Sequence, residues 1–360
     1  MSFLKELEMK KIALKKTEGP RKENKLEKMI VEDESDYYRL MKETYFEAYY
    51  SQIEDFTFKS VIIPLSLEEI QALRESYNLF LTKDNNYDLD SVVAKVEEGI
   101  TLIRKKTNSD CKVFIRLSSR SPKDAIYHLA GFQSLYQDKL QEFEDKEDVF
   151  SKLHAFYKAS TEVMAISSGE EAAELLRMSE RIQGDLDFCL TNKEPLNLIV
   201  REFVHFPVKS ELRGFVYNGA LTALSVYNNL AYFPEHRVEK SEVEAKVLSF
   251  MAEFIRAMES TLNNFIVDLA LDDEGKVWVV EVNPFGELAG SCLFSWKNDR
   301  WGGTCILFLF IPRRLSNYVS YRTILMGEEP FEFRIVEEPP SLGYIKSEID
   351  QRVLDILDVK

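Results

Sequence analysis

The sequence predicts an α+β protein whose sheets are mostly antiparallel. Two observations carry that reading. In the C-terminal half, strand-like segments follow one another across the short turn signals VYNGAL and LDDEGK, which mark hairpins. Before and between them, apolar residues recur at three-and-four spacing, the signature of helices with one buried face. No internal repeat of fixed period is visible.

Composition narrows the function classes. The chain has 360 residues, 45% of them hydrophobic and 12% aromatic, enough for one large core or two modest ones. A formal net charge of -15 argues against direct nucleic-acid binding, which relies on lysine and arginine neutralising phosphates. It suits a partner with a basic surface. Cys111, Cys189, Cys292 and Cys305 lie far apart, in or beside apolar stretches, and form no C-x-x-C pair, as expected of reduced thiols. The N-terminal MSFLKELEMKKIALKK lacks the unbroken apolar stretch of a secretory signal. The apolar run Cys305 to Ile311, CILFLFI, is far short of the roughly 20 residues that span a bilayer. A cytoplasmic protein is expected, monomeric when alone and without membrane association.

Taken in order, residues 1–35 are rich in lysine and glutamate and read as a mobile charged arm. The segment from Ser35 to Ser66 carries aromatics at helical spacing on Tyr37, Tyr38, Tyr45, Phe46 and Tyr49, then the strand-like KSVIIPL. Ser66 with Glu69 forms a capping box that opens a helix. CKVFIRLSS alternates as a strand, and RSPKDA leads into a helix near Ala125. The stretch from Tyr127 to Ser160 is helical with a break near Lys146, and EEAAELLRMSERIQGDL reads as one further amphipathic helix. From Leu196 onward come the strands NLIVREFVHF, ELRGFVYNGALTALSVY, NNFIVDLALDDEGKVWVVEVNPF and CILFLFI, with a long helix from Lys240 to Leu262 among them.

The segment KVWVVEVNPFG poses the chemical question. Side chains alternate across a strand, so Glu281 and Asn283 share one face while Val280 and Val282 turn to the core. If Leu271 pairs with Lys276, Asp268 falls opposite Val279, diagonal to Glu281, and two carboxylates converge with an amide oxygen. Hard oxygens of this kind suit magnesium, and Pro284 ends the ladder beside them. From spacing alone, the solvated face of a half-exposed hairpin accounts for the two acids more simply.

Cations inside apolar strands stand out in so acidic a chain: Arg116 in VFIRLSS, Arg201 in LIVREFV and Arg213 in ELRGFV. Each could grip phosphate bidentately or pair with a surface glutamate. Lys123 lies near a helix N-terminus, which also favours anions. Neither a P-loop nor a Rossmann fingerprint occurs. His128, His154, His205 and His236 are dispersed without metal-ligand spacing, and no G-x-S-x-G elbow is present.

Several of these segments together resemble the cell division cycle protein 123 family. They are FTFKSVIIPL, VFIRLSSRSPKDA, ELRGFV, IVDLALDDEGKVWVVEVNPFGE and LFSW, in family order from about Tyr45 to Trp296. The resemblance implies an ATP-grasp fold, with two lobes of mostly antiparallel sheet and packed helices around a nucleotide cleft. It places an N-terminal lobe with a helical insertion at 36–199, a C-terminal lobe carrying the metal hairpin at 200–320, and an extension at 321–360. It implies ATP and Mg2+ as ligands. Asp268, Glu281 and Asn283 would bind the metal, and Arg116, Lys123 and Arg213 would face the phosphates. The linker from Val200 through Arg201, Glu202 and Phe203 would lie along the adenine. Arg116 stands where better-known relatives carry lysine, and SVYNN from Ser225 replaces a serine-glutamine-arginine-aspartate run.

Family members are similar to assembly chaperones that bind the gamma subunit of translation initiation factor 2, which is the function expected here. The alternative is an ATP-grasp ligase that activates a carboxylate as an acyl-phosphate for attack by a nucleophile. No residue is singled out as catalytic. A phosphotransferase would need a base near the terminal phosphate, and the sequence identifies none.

Overall fold

The computed structural model describes residues 34–296 and 324–358. The expected strand Cys305 to Ile311, with Cys305 itself, lies outside the described residues, as does residues 1–33 of the expected arm. The last two residues of that arm begin helix α1 (Glu34–Glu43).

Two sheets organise the chain. The small one has three antiparallel strands in the order β1 (Ser60–Leu65), β3 (Leu196–Glu202), β2 (Val113–Leu117). The large one has five strands in the order β7 (Val277–Pro284), β6 (Phe265–Leu271), β4 (Glu211–Tyr217), β5 (Ala220–Val226), β8 (Glu332–Arg334). All its pairings are antiparallel except that of β5 with β8. Asn218 and Gly219, both at positive φ, make the β4–β5 turn that VYNGAL announced. The strand β3 crosses residue 200 and belongs wholly to the small sheet.

Alternation decides what each face of the small sheet meets. Val113, Ile115, Leu117, Leu198 and Val200 turn to a core shared with the helices α3 (Leu67–Leu81), α4 (Asp90–Thr107), α5 (Phe132–Leu140), α6 (Val149–Glu162), α7 (Gly169–Met178) and α8 (Gln183–Asn192). Val200, expected along the adenine, is therefore a fully buried core residue. The opposite face carries Ile199, Arg116 and Arg201 and meets helix α2 (Phe46–Ile53). That helix buries Phe46, Tyr49, Tyr50 and Ile53, one face at three-and-four spacing. Its apolar stripe belongs to the second core, with Leu212, Val216, Val267, Leu269, Val279 and Val282 of the large sheet and the long helix α9 (Glu235–Met258).

The capping box at Ser66 forms as read: Ser66 Oγ accepts from the Glu69 amide, and Glu69 Oε2 accepts from the Ser66 amide at 2.7 Å. The helical run interrupted near Lys146 divides into α5 and α6. The single helix expected over EEAAELLRMSERIQGDL is instead two, because Ser179 turns to extended backbone and its hydroxyl donates to buried Asp124 at 2.5 Å. The C-terminal residues are not a body apart. Strand β8 extends the large sheet, while Ile345, Val353 and Leu357 of α10 (Leu342–Glu348) and α11 (Gln351–Leu357) pack into the first core.

Helix α4 approaches β3 closely because Gly99 has no side chain. A Cβ there would lie 2.6 Å from Val200 Cγ2 and 3.0 Å from Ile63 Cδ1. Val200 is β-branched and fully buried, so it has no room to yield. Alanine would gain about 1 kcal/mol of helix propensity, against roughly 1–3 kcal/mol for overpacking a close-packed core. Gly99→Ala should therefore lower the unfolding free energy by up to about 2 kcal/mol, read as an earlier urea midpoint with unchanged slope.

Candidate functional site

The face of the large sheet that bears Arg213 and Asp268 changes character along its strands. Phe215, Ala223, Ile266 and Phe285 cover one end of it with an apolar cluster that includes Phe294 and Trp296. Further along the same strands the alternating positions become Arg213, Asp268, Glu281 and Asn283.

The hairpin register differs from the sequence expectation. Leu271 pairs with Val277, Leu269 with Val279 and Asp268 with Glu281. Val280 is the extra residue of a β-bulge, so it does not turn to the core; Val279 and Val282 do. The expected diagonal from Asp268 to Glu281 becomes a direct cross-strand pair. Spacing alone could not reveal this, because the bulge is imposed from outside the hairpin. Phe56 O accepts from the Val279 amide at 2.9 Å, Thr57 Oγ1 donates to Val279 O at 2.6 Å, and Arg201 Nη1 donates to Val280 O at 2.8 Å.

Arginines hold each carboxylate. Arg213 grips Asp268 bidentately, Nε to Oδ1 at 2.7 Å and Nη2 to Oδ2 at 2.8 Å, and its Nη1 donates to Gly290 O. Arg116 reaches from β2 across to the other sheet, where its Nη1 lies 3.0 Å from Glu281 Oε1. Its remaining nitrogens donate to Leu117 O and Ser119 O. Asn283 Nδ2 donates to Asp268 Oδ2 at 3.3 Å. Asp268, Glu281, Asn283, Arg116 and Arg213 are thus in one place.

Lys123, on a 3₁₀ turn (Lys123–His128), stands over the Tyr227 ring at 5.8 Å, and Arg213 over the same ring at 4.9 Å. Lys123 as a whole is exposed, while its ammonium group turns inward toward the Tyr227 ring. Tyr227, Glu281 and Asp268 hold its pKa above the ordinary value, against burial and Arg181. Arg201 has a different setting. It is buried between the rings of Phe46 and Phe58 and bonds to Val280 O and Thr57 Oγ1. Burial, then the neighbouring charge of Arg116, bring its pKa down to about 10. Glu202 and Phe203 end the strand, their amides donating to Lys59 O and Lys112 O.

Three groups at the site went unread in the sequence. Tyr227 lies in the SVYNN run, where nothing in spacing marks a ring beneath two cations. Glu211 sits on the Arg213 face of β4, its carboxyl pushed up by burial while Lys123 pulls it down. Arg181 falls in the break between α7 and α8, hidden while the segment was read as one helix.

The donor set fits a hard divalent ion. Two facing carboxylates and an amide oxygen share one side of a rigid hairpin. Glu281 Oε2 and Asn283 Oδ1 make no hydrogen bond among the described residues. No group of three or more His, Cys, Asp or Glu among the described residues could hold a metal; the expected set has two acids and is completed by an amide. A cavity of about 370 Å³, lined by Lys209, Leu212, Lys246, Leu271 and Phe333 among others, is a separate feature. Leu212 and Leu271 belong to the sheet face opposite Arg213 and Asp268.

The fold is the one seen in Cdc123 from Schizosaccharomyces pombe. That structure superposes with a TM-score of 0.55 at 16% identity, covering 83% of this chain and 98% of the other. With its helices and two sheets, this is the ATP-grasp-like fold of that structure. The D123 family model matches residues 49–351, and the chain belongs to that family. A Xenopus laevis protein described as a translation initiation factor eIF2 assembly protein is 29% identical over 103 residues, 29% of this chain and 30% of that one. The Xenopus tropicalis protein of the same description is 23% identical over 271 residues, 71% of this chain and 76% of its own length.

The electrostatics yield a pH test. Burial opposes the charge on Glu281, but Arg116 foremost, then Lys123, Arg181 and Arg213, hold its carboxyl at about 2, below the ordinary 4.5. A depressed folded-state pKa contributes stability that is full above 4.5 and is lost as pH falls from there through about 2. Denaturation across pH 2 to 5 should therefore show a shallower loss of stability in Glu281→Gln than in the natural chain; parallel profiles would mean that Arg116 does not hold the carboxylate.

Proposed function

We propose that this chain binds ATP with magnesium between its two sheets and serves as an assembly factor for translation initiation factor 2, acting through the gamma subunit. The observation that carries the nucleotide reading is the Asp268–Glu281 pair, facing one another across a hairpin and backed by Arg116, Arg213 and Lys123. In this reading Asp268, Glu281 and Asn283 would hold the metal, which when bound neutralises phosphate charge. Arg116, Lys123 and Arg213 would meet the phosphates. Arg213 and Arg116 also hold both carboxylates in place, so the donors are set before the ligand arrives. Glu202 and Phe203 would flank the base. Arg201 would serve from beneath, holding the bulge that aims Glu281.

The assembly role draws its support from the descriptions of the Xenopus relatives and from the net charge of -15, which suits a basic partner surface. A cytoplasmic setting follows from that role. Among the described residues no helix is long and apolar enough to cross a membrane.

Calorimetric titration of the full chain with ATP should show binding that depends on magnesium and is lost in EDTA. Asn283→Ala should weaken it about tenfold, the worth of roughly one charge-assisted contact, without shifting the thermal midpoint of the free protein. The gamma subunit should be retained on the immobilised chain, and ATP should come through intact. ADP or AMP appearing with a carboxylate substrate would favour the ligase, and ATP affinity indifferent to magnesium would sink the metal assignment.

A further inference from the structure

The cations of the cleft differ in how far they are already committed. Arg213 is bound to Asp268, Arg116 to Glu281, and Arg201 to Val280 O and Thr57 Oγ1. Lys123 and Arg181 are the exceptions. Both residues are exposed, and neither the Arg181 guanidinium nor the Lys123 ammonium makes a hydrogen bond or ion pair among the described residues. Arg181, unpaired beside Lys123, is available to an anionic ligand.

Buried chemistry fixes where Arg181 stands. Asp124 follows Lys123 directly in the chain and is buried. One of its carboxylate oxygens accepts from Ser179 Oγ at 2.5 Å, and the other accepts from the Arg181 amide at 3.0 Å. Ser179 and Ile182 on either side of Glu180 and Arg181 are fully buried. A single carboxylate thus ties the break between α7 and α8 to the 3₁₀ turn that bears Lys123. The backbone at Arg181 is held rigidly while its side chain stays free.

The neighbours of Lys123 point the same way. Lys123 stands over the Tyr227 ring at 5.8 Å, and Arg213, bound to Asp268, over the same ring at 4.9 Å, so the tie through Asp124 sets Arg181 beside the cations at the acid end of the cleft. A metal held by Asp268, Glu281 and Asn283 would put the phosphates of a nucleotide at that end.

We propose that Arg181 is a phosphate-binding residue of this cleft, gripping the outer phosphates of the nucleotide together with Lys123, and that Asp124 is the positioning residue that sets the two cations side by side. The proposal rests on the nucleotide reading above and adds to it a contact from the helical insertion. An arginine fork suits phosphate oxygens bidentately where lysine offers a point charge, so the two residues would divide the work.

The test compares ATP with AMP on the full chain in magnesium, each measured by displacement of a fluorescent ATP analogue. Arg181→Ala should weaken ATP about tenfold or more, the expected loss of a charged hydrogen-bonded contact, while AMP affinity and the thermal midpoint without nucleotide stay as they are. Arg181→Lys should recover part of the ATP affinity. Equal losses for ATP and AMP, or unchanged ATP affinity in Arg181→Ala, would overturn the proposal and leave the nucleotide reading standing. A natural chain that binds no ATP in magnesium overturns both.

Discussion

The fold turns on a charge that crosses between two sheets. Arg116 belongs to the small sheet and Glu281 to the large one, and they meet with only 2% and 14% of their side chains exposed. Removing two ions from water costs several kcal/mol each, and only good geometry with further hydrogen bonds offsets it. Here the guanidinium satisfies its other nitrogens on Leu117 O and Ser119 O. The carboxylate keeps one oxygen free of protein partners among the described residues. That asymmetry separates a structural strut from a site: every nitrogen of the arginine has a partner, and one oxygen of the acid has none.

The bulge at Val280 makes the meeting possible. A regular hairpin would carry Glu281 one position away from Asp268, and the two acids would not face each other. Three groups from the small-sheet side, Phe56, Thr57 and Arg201, bond to the backbone of Val279 and Val280 and so impose the irregularity on the edge strand. Arg201 has no carboxylate partner among the described residues. Two flanking rings at 4.8 and 4.9 Å and two oxygen acceptors compensate its charge, a setting in which cation–π attraction is strengthened by desolvation. The second core, the hairpin geometry and the acid pair therefore depend on the same contact.

Much of this was legible because it is local. Strand alternation in KVWVVEVNPFG put Glu281 and Asn283 on one face, the turn residues of VYNGAL and LDDEGK placed the hairpins, and Ser66 with Glu69 announced its own cap. What was not legible is what distant residues impose. The bulge comes from residues more than 70 positions away, so the register expected from loop length alone was wrong. The break at Ser179 depends on Asp124, 55 residues earlier, and periodicity read straight through it. Tyr227 had no visible role because its partners, Lys123 and Arg213, lie on other elements. The ATP-grasp class itself was not deducible from periodicity; resemblance supplied it, and the geometry of Asp268 and Glu281 gave it physical content.

A site built in this way has a preference for the kind of ligand it accepts. Its carboxylates are already neutralised by arginines, so a bare anion would have to compete with Asp268 and Glu281 for those arginines. A bare cation would have to compete with the arginines for the acids. In the proposed reading a species carrying both signs, a divalent ion on a polyphosphate, would meet both needs at once: the metal would take the free oxygens while the phosphates would take the free cations. Lys123 and Arg181, unpaired and held together by Asp124, stand where such a ligand would need its anionic end received. The insertion that carries Arg181 shares its core with the small sheet and the helices at the C-terminal end of the chain, so a ligand gripped there and by Glu281 of the large sheet would bear on both sheets together.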